Sequence, residues 1–169
     1  MKHFPAFDTT GFRKCQIVAV KNLDQSFADN RPRALCQMAT GAGKTFTAIT
    51  TAYSLLKFGK MKRILFLVDT RSFGEQAERE FLAYKPNDDS RTFSQLYGVR
   101  RLNSSYIPKD VQICISTIQR MYSILQGKKL DESEEEEPLE DEGSARTVVY
   151  NKKYPPELKW SGYVTVDER

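Results

Sequence analysis

The chain has 169 residues, the size of one domain with a substantial core, and its 26 Lys and Arg against 22 Asp and Glu leave a net charge of +4. No apolar run reaches membrane-spanning length and the opening Met1-Lys2-His3-Phe4-Pro5 lacks a signal-peptide pattern, so the expectation is a soluble, cytoplasmic protein with no membrane partner. With His3 the one histidine, a histidine-based metal site or triad has no basis, and the widely spaced Cys15, Cys36 and Cys114 read as buried small hydrophobes in a reducing compartment.

Taken in order, Gly11 to Ala28 places Ile17, Val20, Leu23 and Phe27 at helical spacing and predicts an amphipathic helix. The apolar run Ala34 to Met38 predicts a short buried strand. A glycine-rich loop follows, then a helix over Thr45 to Phe58 that Gly59 is placed to cap. Ile64 to Val68 is continuously apolar, as a strand covered on both faces would be, and the strand, helix, strand order implies a parallel sheet.

Ser72 to Tyr84 reads as a helix with Phe73, Ala77 and Phe81 on one face. Pro86 to Ser105 is polar and shows only the turn cluster Asn87-Asp88-Asp89-Ser90. Val111 to Ile115 predicts another strand, and Ser116-Thr117 an N-cap for a helix to about Leu125. Nine of the 22 acids lie between Asp131 and Glu142, which makes 127–146 a solvated acidic insertion and leaves 26 bases against 13 acids outside Asp131–Glu142. That excess suits an anionic partner, nucleotide or nucleic acid. Apolar character returns at Thr147 to Tyr150, Pro155-Pro156 makes a turn, and Gly162 to Val166 is an apolar strand running into Asp167-Glu168.

The stretch Met38-Ala39-Thr40-Gly41-Ala42-Gly43-Lys44-Thr45 has the chemistry of a phosphate-binding loop. Its glycines let consecutive N–H groups converge on the β-phosphate of a nucleotide. Lys44 is placed to reach the β- and γ-phosphates and the Thr45 hydroxyl to coordinate Mg²⁺, with a helix N-terminus behind them. Thr40, Gly41, Ala42 and Gly43 complete the cradle. The expected ligands are ATP and Mg²⁺.

Met38 stands where the strict loop pattern has its first glycine. In that form, Ala39 to Thr45 resembles motif I of superfamily 2 helicases and translocases. Phe66-Leu67-Val68-Asp69-Thr70-Arg71 followed by Gln76-Ala77 resembles their motif Ia, Ser116-Thr117 a later DNA-contacting motif, and Val164-Thr165-Val166-Asp167-Glu168 their motif II. The chain is most similar to the restriction (R, motor) subunit of type I restriction-modification enzymes. The resemblance implies an α/β fold, a three-layer sandwich with a mainly parallel sheet, as in the first RecA-like P-loop NTPase domain, spanning 1–169 as part of a longer protein.

The resemblance further implies residue roles. Gln16, after Phe12 and Arg13, is either an adenine reader, its amide offering a donor and an acceptor together, or a solvent-facing helix residue. Thr70, Arg71, Thr117 and Arg120 are DNA-contact candidates, Thr70 and Arg71 against a reading as a helix cap and a surface arginine, Thr117 with capping and phosphate contact compatible. Asp167 would hold Mg²⁺ with Thr45, and the catalytic residues would be Lys44, on the phosphates, and Glu168, orienting or deprotonating the attacking water. Such motifs continue Asp-Glu-Cys-His-Arg or Asp-Glu-Ala-His, and here Arg169 follows Glu168, by truncation or by divergence. The implied activity is ATP hydrolysis driving movement on double-stranded DNA within a type I deoxyribonuclease. Its partners would be a second RecA-like domain, a nuclease domain, and specificity and methylation subunits. A stand-alone P-loop enzyme or a nonenzymatic nucleic-acid-binding module are the alternatives. Glu157-Leu158-Lys159 has nuclease-like spacing, but Pro155-Pro156 disfavours the strand such a centre needs.

Overall fold

A computed structural model of the chain describes residues 4–6, 8–31, 33–130 and, as backbone alone, 163–165. In chain order these form α1 (Lys14–Ala28), α2 (Lys44–Lys57), β1 (Ile64–Val68), α3 (Arg71–Ala83), α4 (Phe93–Leu96), β2 (Val99–Arg101), β3 (Ile113–Thr117), α5 (Ile118–Gln126) and β4 (Tyr163–Thr165). The sheet runs β2-β3-β1-β4, and every pairing in it is parallel. The class is therefore α/β.

The continuous apolar run of β1 is explained by what covers it. Ile64, Phe66 and Val68 enter one core with Ile113 and Ile115, closed by Ile49, Ala52, Tyr53 and Leu56 of α2, Ala77 and Phe81 of α3, and Phe93. Leu65 and Leu67 alternate with them into a second cluster with Leu102, Val111, Cys114 and Met121 of α5. One face is buried and the other half-buried, and both pack on apolar neighbours, so the residue types show no period of two even though the burial alternates. Aromatic rings fill the first core: Phe81 meets Phe66 edge-on with centroids 5.2 Å apart and Phe93 at 5.1 Å.

Helix α1 turns inward the face its apolar spacing marks, and two polar residues share that face. Gln16, Val20 and Asp24 form the buried line, while Ile17, Leu23 and Phe27 are half-buried. Two polar side chains tolerate that burial because each has a partner: Gln16 bonds the glycine-rich loop, and Ser54 Oγ donates to both Asp24 oxygens at 3.2 and 3.3 Å.

Several expectations need correction. Ala34 to Met38 is not a buried strand: it forms no ladder among the described residues, and Leu35 is 94% exposed. Apolarity alone does not make a strand, because its N–H and C=O groups need a neighbouring strand to bond. Gly59 is not the cap of α2. Phe58 takes that position, and the chain reverses through Lys60 at φ +58. Cys15 and Cys36 are exposed, leaving only Cys114 buried, where burial raises its thiol pKa. The segment 86–105, read only as polar, holds α4 and β2. Strand β3 starts two residues later than expected because its register with β1 runs from Ile64↔Ile113 to Val68↔Thr117. The acidic 131–146 stretch, Thr147 to Tyr150, Pro155 to Lys159, and Asp167 and Glu168 lie outside the described residues.

Candidate functional site

The loop ahead of α2 is built by two residues with positive φ. Ala42 N–H donates to Ala39 O at 3.1 Å, closing a turn whose third residue, Gly41, sits at φ +75. Gly43, the N-cap of α2, takes φ +87 and ψ 45, a left-handed conformation open chiefly to glycine. Space imposes a second demand there, since a Cβ on Gly43 would stand 2.2 Å from Gln16 Nε2.

The start of α1 holds the loop from outside. Arg13 Nη1 donates to Gly41 O, and Gln16 Nε2 donates to Ala42 O at 3.1 Å, with the Cys15 thiol 3.9 Å from the same oxygen. Gly43 O accepts the first helical bond, from Thr47 N–H at 3.0 Å. The loop carbonyls are thus drawn toward α1 and into α2, and no side chain caps the N–H groups of the first turn of α2. Free donors at a helix N-terminus, with the helix dipole behind them, make a cradle for an anion.

Lys44 and Thr45 occupy that first turn, both half-buried, and neither side chain has a hydrogen bond or ion pair among the described residues. The Lys44 ammonium and Thr45 hydroxyl are therefore available to a ligand. Among the described residues no group of three or more His, Cys, Asp and Glu forms a metal site. A Mg²⁺ that keeps most of its waters and rides on the phosphates needs few protein ligands, and Thr45 offers an unpartnered hydroxyl for it beside the cradle.

Gln16 is buried, so the solvent-facing alternative for it does not hold. Both ends of its amide are engaged: Nε2 on Ala42 O, and Oε1 accepting Arg13 N–H at 2.9 Å. Phe12, just before it, meets Phe46 of α2 edge-on with centroids 4.8 Å apart.

The other candidates gather elsewhere. Thr70 caps α3, its Oγ1 accepting from Phe73 N–H at 3.5 Å, and Thr117 caps α5, its Oγ1 accepting from Arg120 N–H at 3.1 Å. Because Val68 and Thr117 are register partners, the N-termini of α3 and α5 lie side by side at the C-terminal edge of the sheet. Arg71 Nε pairs with Glu75 at 3.2 Å, and the buried Arg120 sends Nη1 to Leu130 O at 3.2 Å. These four residues form a group distinct from the loop. Phe46, in the first turn of α2, packs on Tyr84 at the far end of α3 with centroids 5.6 Å apart, and a 13-residue helix separates that end from Arg71 by about 20 Å.

Residue pattern alone does not mark the bonds that carry the turn after α3, where Asn87 and Asp88 bind opposite neighbours. A turn cluster reveals that the chain reverses, not that its Asn87 amide reaches across 77 and 79 residues or its Asp88 carboxylate across 31 and 35.

Comparison with known proteins places these features in context. Residues 9–149 match the family model described as type III restriction enzyme, res subunit. The chain is 35% identical over 117 residues to the type I restriction enzyme EcoKI endonuclease subunit of Escherichia coli strain K12, covering 69% of this chain and 10% of that one. It is 30% identical over 115 residues to the type I restriction enzyme SauCOLORF180P endonuclease subunit of Staphylococcus aureus strain COL, covering 68% and 12%. Against the type I restriction enzyme EcoAI endonuclease subunit of Escherichia coli it is 36% identical over 66 residues, 39% of this chain and 8% of that one. The chain thus spans about a tenth of the length of these relatives. No solved structure matches it.

Proposed function

The chain belongs to the type III restriction enzyme res-subunit family of helicase-like proteins, and from that premise we propose that it is the ATP-binding, first RecA-like domain of a DNA-translocating motor of the type I restriction kind. The observation that carries the proposal is the loop itself: its carbonyls are tied back, its leading N–H groups are uncapped, and Lys44 and Thr45 stand unpaired beside them.

In this reading Thr40, Gly41, Ala42 and Gly43 wrap the β-phosphate, and Lys44 spreads charge over the β- and γ-phosphates. Thr45 and Asp167 would hold Mg²⁺, which supplies charge neutralisation on the phosphate oxygens. Glu168 would orient the attacking water. Gln16 reads adenine by exchanging its internal bonds to Arg13 and Ala42 for the base edge. The domain is a RecA-like three-layer sandwich covering 1–169, with 127–146 as an acidic insertion.

For DNA, the adjacent N-termini of α3 and α5 support a phosphate track at one edge of the sheet. Thr70 and Thr117 serve there by fixing those termini, and Arg71, held by Glu75 in the first turn of α3, supplies a cation. The buried Arg120 ties the segment after α5 to that helix through Leu130 O. Partners would be double-stranded DNA, a second RecA-like domain, a nuclease domain, and specificity and modification subunits. Such motors place ATP between two RecA-like domains, and the arginines supplied across the cleft account for much of the rate. On this proposal the 169 residues bind Mg-ATP and turn it over slowly by themselves. Titration of Mg-ATP into the chain and into Lys44→Ala tests the loop assignment: binding is expected to depend on Lys44, and equal affinities would overturn it.

A further inference from the structure

The turn between α3 and α4 presents two consecutive polar side chains to different neighbours. Asp88 faces α2: its Oδ1 accepts from the Tyr53 hydroxyl at 2.7 Å and its Oδ2 from Lys57 Nζ at 2.8 Å, while Lys57 Nζ also donates to Tyr53 Oη at 2.8 Å. The turn is thereby pinned to the C-terminal half of the helix that the glycine-rich loop opens. Asn87 reaches the other way, its Nδ2 donating to Asp8 O at 3.1 Å and Thr10 O at 2.8 Å.

Those two carbonyls belong to a compact strap. The Asp8 carboxylate accepts from Thr10 N–H at 2.9 Å and from its hydroxyl at 2.7 Å, and Phe12 N–H donates to Thr9 O at 3.0 Å across Gly11 at φ +81. Arg13 and Gln16 come next, on the loop carbonyls, with the Phe12 ring against Phe46 between the two ends. The segment 8–16 is therefore held at both ends, by Asn87 at the outer one and by the loop at the inner one.

We propose that Asn87 is a positioning residue for nucleotide recognition: by fixing the outer end of the strap it sets where Phe12, Arg13 and Gln16 stand, and so governs affinity for the nucleoside part of the ligand and not for its phosphates. This inference rests on the reading of the loop as a nucleotide site with Gln16 on the base side. The strap is exposed at its outer end and has little apolar burial to order it. Without the two Asn87 bonds its bound arrangement becomes one of several, and nucleoside affinity falls by the fraction of time that arrangement is lost. The phosphate cradle keeps its own turn and its helix N-terminus, so phosphate affinity stays.

The test titrates Mg-ATP and, separately, inorganic tripolyphosphate into the 169-residue chain and into Asn87→Leu, Asn87→Ala, Asn87→Gln and Lys44→Ala. Loss of two ordinary hydrogen bonds predicts ATP binding weaker by about five- to tenfold in Asn87→Leu and Asn87→Ala. The amide-bearing Asn87→Gln is expected to recover part of it, and tripolyphosphate affinity to stay within about twofold throughout. Lys44→Ala is expected to weaken both ligands. Equal weakening of ATP and tripolyphosphate by the Asn87 variants, or no weakening of either while Lys44→Ala acts on both, overturns the role of Asn87 alone. Indifference of both ligands to Lys44→Ala overturns the loop reading, and this inference with it.

Discussion

Gln16 Nε2 occupies the space that a Cβ on Gly43 would need, 2.2 Å away, while donating to Ala42 O at 3.1 Å. The first helix and the glycine-rich loop are thus fitted to each other at one point, where the absence of a side chain on one residue makes room for the amide of the other. Gly43→Ala would have to move Gln16 and adopt φ +87 with a β-carbon. The expected cost is about 1–3 kcal/mol of folding stability, read as a lowered midpoint in urea, together with loss of Mg-ATP binding. Gln16→Ala, by contrast, leaves the φ of Gly43 undisturbed and should weaken ATP binding with the loop still formed.

Lys44→Ala separates binding from folding. The Lys44 side chain has no partner among the described residues, so its removal should change stability by less than about 0.5 kcal/mol while ATP affinity drops at least tenfold. Paired urea titrations and nucleotide titrations on the same preparation check both halves.

Asp24 predicts a pH dependence. Burial between α1 and α2 raises its pKa from 3.8 to about 6, opposed only in part by the Ser54 hydrogen bond. The folded state therefore binds a proton more tightly than the unfolded one. Asp24's contribution to stability is greatest below pH 4, falls as pH rises from 4 to 6, and is flat above. Asp24→Asn removes that slope, keeps an acceptor for Ser54, and should stabilise the chain at pH 7 by about 1–2 kcal/mol. The difference between the two urea midpoints across pH 4 to 8 isolates this group from the other carboxylates.

The Tyr53 hydroxyl is one corner of a three-way contact whose other two corners already touch, Lys57 Nζ lying 2.8 Å from Asp88 Oδ2. Burial raises the Tyr53 pKa to about 12, so the phenol stays protonated and donating. Tyr53→Phe keeps the ring and the ion pair and should cost about 1 kcal/mol. Tyr53→Ala empties a fully buried aromatic site packed on Tyr84, Phe93 and Tyr97 and should cost about 3–5 kcal/mol. Thermal or urea unfolding of the two variants distinguishes them.

The loop and its helix were legible because their signal is local: two glycines, a lysine and a threonine at fixed spacing ahead of a helix. Strand β1 was legible because apolar packing on both faces leaves an unbroken apolar run. That Gln16 and Asp24 share the inward face of α1 was not, since they are buried through bonds to Ala42 and Ser54, residues that composition does not connect to them. Strand β2 escaped because an edge strand of Val99, Arg100 and Arg101 hides its backbone pairing behind charge, and Arg101 is tied to Glu75 and Glu78 of α3. Ala34 to Met38 misled in the opposite direction, its side chains suiting a strand where its backbone has no ladder among the described residues.

Phosphate release from Mg-ATP by the 169-residue chain, with and without duplex DNA and beside Lys44→Ala, tests the central claim most directly. A domain that forms one wall of a shared ATP site binds nucleotide through Lys44 yet releases phosphate at a negligible rate in both conditions. Brisk, Lys44-dependent release without DNA would contradict that account and make the chain a self-contained P-loop enzyme.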